Sequence, residues 1–230
     1  YYASGSYNTF VGSEAGKGGT TSAPFSSGQY NTALGYLALS GFTTGQTNVA
    51  IGGYAGASVS SGQKNVAIGY TSLNYLTDGT DSVAVGYHAG YYGTGSYNTF
   101  VGSEAGKGGT TSAPYSSGKH NTAVGASALA GFTTGQYNTT VGKDAGKAIT
   151  TANYNTFVGA WAGDAATESG YNTVIGFQAF SDAVDGSSHT VAIGYQAGKA
   201  ITSGDGNIMI GAGAGNTTTD VDKAVIIGQN

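Results

Sequence analysis

Three kinds of residue in this 230-residue chain have the type and spacing for chemistry: a glycine-rich stretch closed by lysine, three histidines, and paired aspartates. Gly12-Ser13-Glu14-Ala15-Gly16-Lys17 has the outline of a phosphate-cradling loop, in which backbone N–H groups wrap an anion and a lysine reaches it. Only three residues separate its glycines, however, and Gly18 stands where Ser or Thr would hold the metal. The same frame returns at Gly142 to Lys147 and at Gly194 to Lys199, so it reads as a turn of a repeat. Gly211-Ala212-Gly213-Ala214-Gly215 imitates a dinucleotide loop without the helix and acidic residue that should follow. His88, His120 and His189 read as falling at different positions of different repeats, too scattered to converge on one metal or to serve one nucleophile. Asp78 with Asp81, Asp182 with Asp185, and Asp220 with Asp222 lie in turn-like sequence, where Asp ordinarily bonds its own backbone. The glycine-and-aspartate nonapeptide of calcium-binding β-rolls is absent. The expectation is a chain that is not an enzyme and that uses no cofactor or metal.

What would position all of these is a repeat. Variants of Asn48-Val49-Ala50-Ile51-Gly52 begin at Asn8, Asn31, Asn48, Asn65, Ser82, Asn98, Asn121, Asn138, Asn155, Asn172, Thr190, Asn207 and Ala224, mostly 17 residues apart. The exceptions are intervals of 23 (twice), 16 and 18 residues. An unbroken period of this size predicts an all-β parallel solenoid of about thirteen rungs. The motif has the length and β-branched content of a short strand ended by a turn glycine. A second element, Gly-x-x-Ala-Gly as in Gly86-Tyr87-His88-Ala89-Gly90, predicts a second short strand in each rung. Over the small period lies a larger one: Gly5 to Pro24 recurs letter for letter at Gly95 to Pro114, giving 90-residue blocks over 5–94 and 95–184. Nothing marks a domain boundary, so residues 1–230 read as one repeat domain that opens and stops in mid-repeat, as a section of a longer chain would.

Composition agrees. Forty-two glycines, two prolines and 9% charged residues exclude an ordinary helical domain, since Gly costs about 1 kcal/mol relative to Ala inside a helix. The net charge of −4 and the absence of Arg exclude a nucleic-acid surface. No apolar run approaches the length of a membrane span, and no cysteine offers a disulfide or thiolate site.

Strand alternation then bears on assembly. Motif positions two and four point one way, positions one, three and five the other. Position three is apolar in every copy but Thr140, so both faces of the strand carry apolar residues. One face can fill the interior of the rung; the other leaves an apolar stripe along the rod, and such stripes are rarely left in water. The expected cover is two further copies of the chain, in a homotrimer.

Two columns and two loops remain. Asn8, Asn31, Asn48, Asn65, Asn98, Asn121, Asn138, Asn155, Asn172 and Asn207 share position one and are expected to stack their amides rung upon rung. Tyr7, Tyr30, Tyr97, Tyr137, Tyr154 and Tyr171 precede them in a second column, a candidate face for cell-surface carbohydrate. The two long intervals carry identical inserts, Lys17 to Pro24 and Lys107 to Pro114, with Lys17, Thr20, Thr21, Lys107, Thr110 and Thr111 as candidate receptor contacts.

The repeated Asn-Val-Ala-Ile-Gly and Ser-Val-Ala-Val-Gly, each followed by Gly-x-x-Ala, resemble the head repeats of trimeric autotransporter adhesins, and the resemblance implies a left-handed parallel β-roll packed as a homotrimer. The longer form with Asn-Thr-Ala-Leu-Gly-Tyr and Thr-Thr-Gly is similar to repeats of phage tail-fibre and surface proteins. The implied role is a structural or adhesive fibre segment, extracellular, at a cell surface or on a virion. A self-polymerising filament and an ice-binding solenoid are the alternatives; position-two Thr alternating with Val, without a regular Thr column, speaks against the latter.

Overall fold

The computed structural model describes residues 3–20, 23, 25–111, 113, 115–183 and 186–229. Among them are thirteen strands of three residues each. They are β1 (Thr9–Val11), β2 (Thr32–Leu34), β3 (Val49–Ile51), β4 (Val66–Ile68), β5 (Val83–Val85), β6 (Thr99–Val101) and β7 (Thr122–Val124). Then come β8 (Thr139–Val141), β9 (Thr156–Val158), β10 (Thr173–Ile175), β11 (Val191–Ile193), β12 (Ile208–Ile210) and β13 (Val225–Ile227). All pair in parallel and in chain order in one sheet, one strand per rung of a β-solenoid. Register is unaffected by rung length: Val83 pairs with Thr99 across the 16-residue interval, and Thr99 with Thr122 across a 23-residue one. At the usual strand spacing of about 4.8 Å the thirteen rungs span roughly 58 Å.

Among the described residues, the second strand expected in each rung is not there. Gly-x-x-Ala-Gly is a run of turns, closed by bonds such as Ala15 N–H to Gly12 O at 3.3 Å and Lys17 N–H to Glu14 O at 3.3 Å. The residue seven places into each of the first twelve rungs takes a left-handed backbone even when bulky, with φ of 58° at Tyr54, 55° at His88 and 56° at Trp161. Extended pairing is impossible there, yet the rungs stay bonded to each other, as with Gly16 N–H to Ala38 O at 2.9 Å and Leu39 N–H to Ala55 O at 2.9 Å.

Position three fills the interior. Ala33, Ala50, Phe100, Phe157 and Met209 are buried, together with Ala at position eight of the rung and a residue at position nine. In seven rungs positions three and nine compensate in volume. Where position three is large (Phe10, Phe100, Phe157, Met209), position nine is Gly16, Gly106, Gly163 or Gly215; a Cβ added to Gly163 would sit 2.5 Å from the Phe157 ring. Where position three is Ala33, Ala67 or Ala123, position nine is Leu39, Leu73 or Leu129. Part of what reads as turn glycine in the sequence is therefore room for a neighbour. The glycine ending each strand answers a different demand: at Gly52, φ is +127° and a Cβ would meet the Gly69 carbonyl oxygen at 2.7 Å.

Positions two and four face outward, so these, not position three, form the apolar stripe. Position four is Val, Leu or Ile in all thirteen rungs, exposed at Val11, Leu34 and Ile227. Position two does not alternate between Thr and Val, as the sequence suggested, but segregates. It is Thr in β1, β2 and β6 to β10, and Val or Ile in β3 to β5 and β11 to β13.

Candidate functional site

The Asn column forms a hydrogen-bonded spine from Asn8 to Thr190, and a separate link joins Asn207 to Ala224. Asn48 is buried; its Nδ2 donates to Gly62 O at 2.9 Å and to Asn31 Oδ1 at 3.1 Å. Its Oδ1 accepts from the Asn65 backbone N–H at 3.0 Å and from Asn65 Nδ2 at 3.1 Å. Asn31, Asn65, Asn121, Asn138, Asn155 and Asn172 likewise each donate through Nδ2 to a carbonyl fourteen or fifteen residues ahead. Asn8, Asn98 and Asn207 each bridge two carbonyls through Nδ2, and the Oδ1 of each accepts from the backbone of the next rung. Where Asn is replaced by Ser82, its Oγ accepts from Asn98 N–H at 3.3 Å and so continues the spine. With every polar atom of Asn48 spent on this lattice, its column is a scaffold.

The Tyr column is an exposed ladder of stacked rings. Tyr7 and Tyr30 stack at 4.9 Å with planes 5° apart. The second run is longer than the tyrosines alone suggest, because His120 and His189 belong to it. Tyr97, His120, Tyr137, Tyr154, Tyr171 and His189 stack in unbroken sequence, with centroids 4.8 to 5.1 Å apart. Those two histidines thus share one position, contrary to the scattered arrangement inferred from sequence; the signal was their place directly before Asn121 and Thr190. His88 alone lies in another column. Each ladder ring beside Tyr30, Tyr97, His120, Tyr137, Tyr154 and Tyr171 is accompanied by an outward Thr two residues on. From Thr47 to Asp81 the ladder is interrupted, and there the outward neighbours are Val49, Val66 and Val83.

The inserts after Lys17 and Lys107 are anchored alike. Thr20 Oγ1 and Ser26 Oγ lie 3.1 Å apart, and Thr110 Oγ1 and Ser116 Oγ 3.0 Å apart. Lys17 pairs with Glu14 at 3.1 Å and Lys107 with Glu104 at 3.3 Å. Thr111 is exposed; Thr21, Pro24, Pro114 and Asp185 lie outside the described residues. In the phosphate-like loop the N–H groups of Ala15, Gly16 and Lys17 are already donated to Gly12, Ala38 and Glu14, so no anion cradle is open. Among the described residues no group of three or more His, Asp or Glu side chains could hold a metal ion. No helix among them is long and apolar enough to cross a membrane.

Sequence reasoning missed one assembly. In rungs four to six, Tyr70, Tyr87, His88, Tyr91, Tyr75 and Tyr92 form a contiguous aromatic band across the turn stretch, and Tyr115, directly after the second insert, folds onto it, 4.5 Å from Tyr75. Burial, then the Tyr75 hydroxyl, pushes the Tyr91 phenol up to about 12, and burial also raises Tyr115. Desolvation lowers His88, which Lys107 reinforces. Tyr115 reaches Tyr75 from forty residues away in sequence, so no local pattern announces the cluster.

Compared with known proteins, the chain matched no protein family, no curated protein and no solved structure.

Proposed function

We propose that this chain is a non-enzymatic fibre segment, a stiff rod that associates with two further copies of itself and carries adhesive contacts outside the cell, on a cell surface or a virion. The observation that carries the proposal is the outward apolar column at position four, present in every rung. Seven residues of outer face, from the ladder to the residue after the strand glycine, are about 20 Å wide, and over the rod this gives roughly 1,100 Å². Shared between the two neighbours of a trimer, this is roughly 550 Å² a side, or about 1,100 Å² in total for each pairwise contact, at the lower edge of specific interfaces. Resistance to pulling and to proteolysis would follow from backbone bonding between successive rungs, and weak surface contacts multiplied by three chains would supply avidity.

Light scattering on the purified chain, with negative-stain images of the same sample, tests this. A mass three times the 22.7 kDa of one chain, with rods of uniform length, is the expected result. A 22.7 kDa species at micromolar concentration would remove the trimer, and rods of unlimited length would transfer the reading to a self-polymerising filament.

A further inference from the structure

The two aromatic assemblies leave different things to a ligand. In the ladder, planes 1° to 5° apart at about 5 Å cover the faces of Tyr137 and its neighbours, so only ring edges meet solvent. A sugar ring stacks on an aromatic face, and inside the ladder those faces are taken. The cluster is built otherwise. Tyr75 meets Tyr91 edge-on at 80° and Tyr92 at 19°, while Tyr91 and Tyr92 lie at 66° to each other. The four rings of Tyr75, Tyr91, Tyr92 and Tyr115 are each partly exposed, and although Tyr92 stacks on Tyr115 at 5.8 Å and Tyr91 on His88 at 4.8 Å, the edge-on pairs break up the continuous column that the ladder forms.

Polar groups converge on the same place. The hydroxyls of Tyr75, Tyr91, Tyr92 and Tyr115 belong to the same cluster, each able to donate and to accept a hydrogen bond beside the rings. The charges at its rim, Glu104 and Lys107, neutralise each other at 3.3 Å. The surface is thus apolar ring plus hydroxyl without net charge, which complements a neutral ligand that is itself apolar on its C–H face and hydroxylated at its edge. We infer that Tyr75, Tyr91, Tyr92 and Tyr115 form a binding site for neutral pyranose saccharides, built by the second insert, and that the stacked ladder is not the carbohydrate face. The first insert supplies a comparison within the chain. It has the same Thr–Ser anchoring, but Phe25 stands where the second has Tyr115, so it lacks the hydroxyl. This inference rests on the adhesive reading above and narrows it to one site and one ligand class.

The test uses the full chain, labelled at its N-terminus, on an array of neutral hexose and N-acetylhexosamine oligosaccharides printed beside sialylated and sulfated ones. Wild type is expected to retain neutral glycans. Tyr75→Phe, which keeps the ring and removes its hydroxyl, should weaken binding about tenfold. Tyr75→Ala/Tyr115→Ala should abolish it, and Tyr137→Ala/Tyr154→Ala in the ladder should bind as wild type does. Thermal melts of each variant separate lost binding from lost folding. Binding of charged glycans only, binding that survives the cluster variant and disappears with the ladder variant, or no neutral glycan retained would each overturn the site. The mass and images of the same preparation report on the fibre reading separately, so the two can fail independently.

Discussion

Replacing Asn48 probes the spine where its bonding is complete. In Asn48→Ala the Gly62 carbonyl and the Asn65 backbone N–H both lose their side-chain partner in a buried site, whereas Asn65 Nδ2 keeps Gly79 O and Asn31 Oδ1 keeps the Asn48 N–H. Two orphaned buried groups at about 1–3 kcal/mol each predict a loss of about 2–6 kcal/mol. Asn48→Ser should cost roughly half, since rung five already uses Ser82, whose Oγ accepts from Asn98 N–H at 3.3 Å and donates to Thr80 O at 3.2 Å. Asn48→Asp restores the acceptor but sets a buried carboxylate against the Gly62 carbonyl, so it should be at least as damaging as alanine near neutral pH. Burial would raise its folded pKa, so its stability should recover as pH falls from that raised value toward the unfolded value of about 4, be fully regained below it, and decline as pH rises. Urea unfolding followed by circular dichroism ranks the four proteins. An alanine variant within 1 kcal/mol of wild type, or a serine variant less stable than alanine, would refute the claim that the amide column holds the rungs together.

The compensating interior makes a double-mutant cycle informative. Phe157→Ala should cost about 3–5 kcal/mol, and Gly163→Ala should lose stability through collision with that ring, but much of the second loss should vanish when both are changed; strict additivity in thermal unfolding would contradict the volume argument. The Tyr91 phenol is held near 12 against an ordinary 10.0, so the neutral form is favoured in the fold. Its contribution is complete below pH 10 and lost between pH 10 and 12, and the melting temperature of wild type should fall faster there than that of Tyr91→Phe. Five successive outward threonines, Thr99 to Thr173, stand in register, yet the ladder rises beside them, so the face is not flat and a thermal hysteresis assay should show no ice-binding activity.

The parts of this architecture that sequence reveals are those written in residue type at fixed spacing. Asn at position one and Val-Ala-Ile-Gly after it announce strand, turn and period together, because a buried stacking amide and a left-handed glycine suit those places best. The misread second strand shows the limit. Small residues and glycine around Ala55 or Ala89 are compatible with a strand, and nothing in Tyr54, His88 or Trp161 signals a left-handed backbone, which is imposed by stacking against the next rung. His120 and His189 were hidden by sorting on residue type when column position was the better guide. The Tyr75–Tyr115 contact was out of reach altogether, since it depends on how an insert folds back over a rung two below its own.

Length variation has a fixed address in this rod. The 16-residue rung and both 23-residue rungs differ from their neighbours only between the turn stretch and the next Asn, and strand pairing continues past each without a slip. That corner behaves as a row of sockets on a graduated rule, spaced in multiples of about 4.8 Å along one edge. The two natural inserts occupy graduations five rungs apart, roughly 24 Å. A peptide spliced between Gly131 and Gly135, or at the equivalent corner of another 17-residue rung, would stand at a chosen distance from them, and the separation between two displayed ligands could be set by counting repeats.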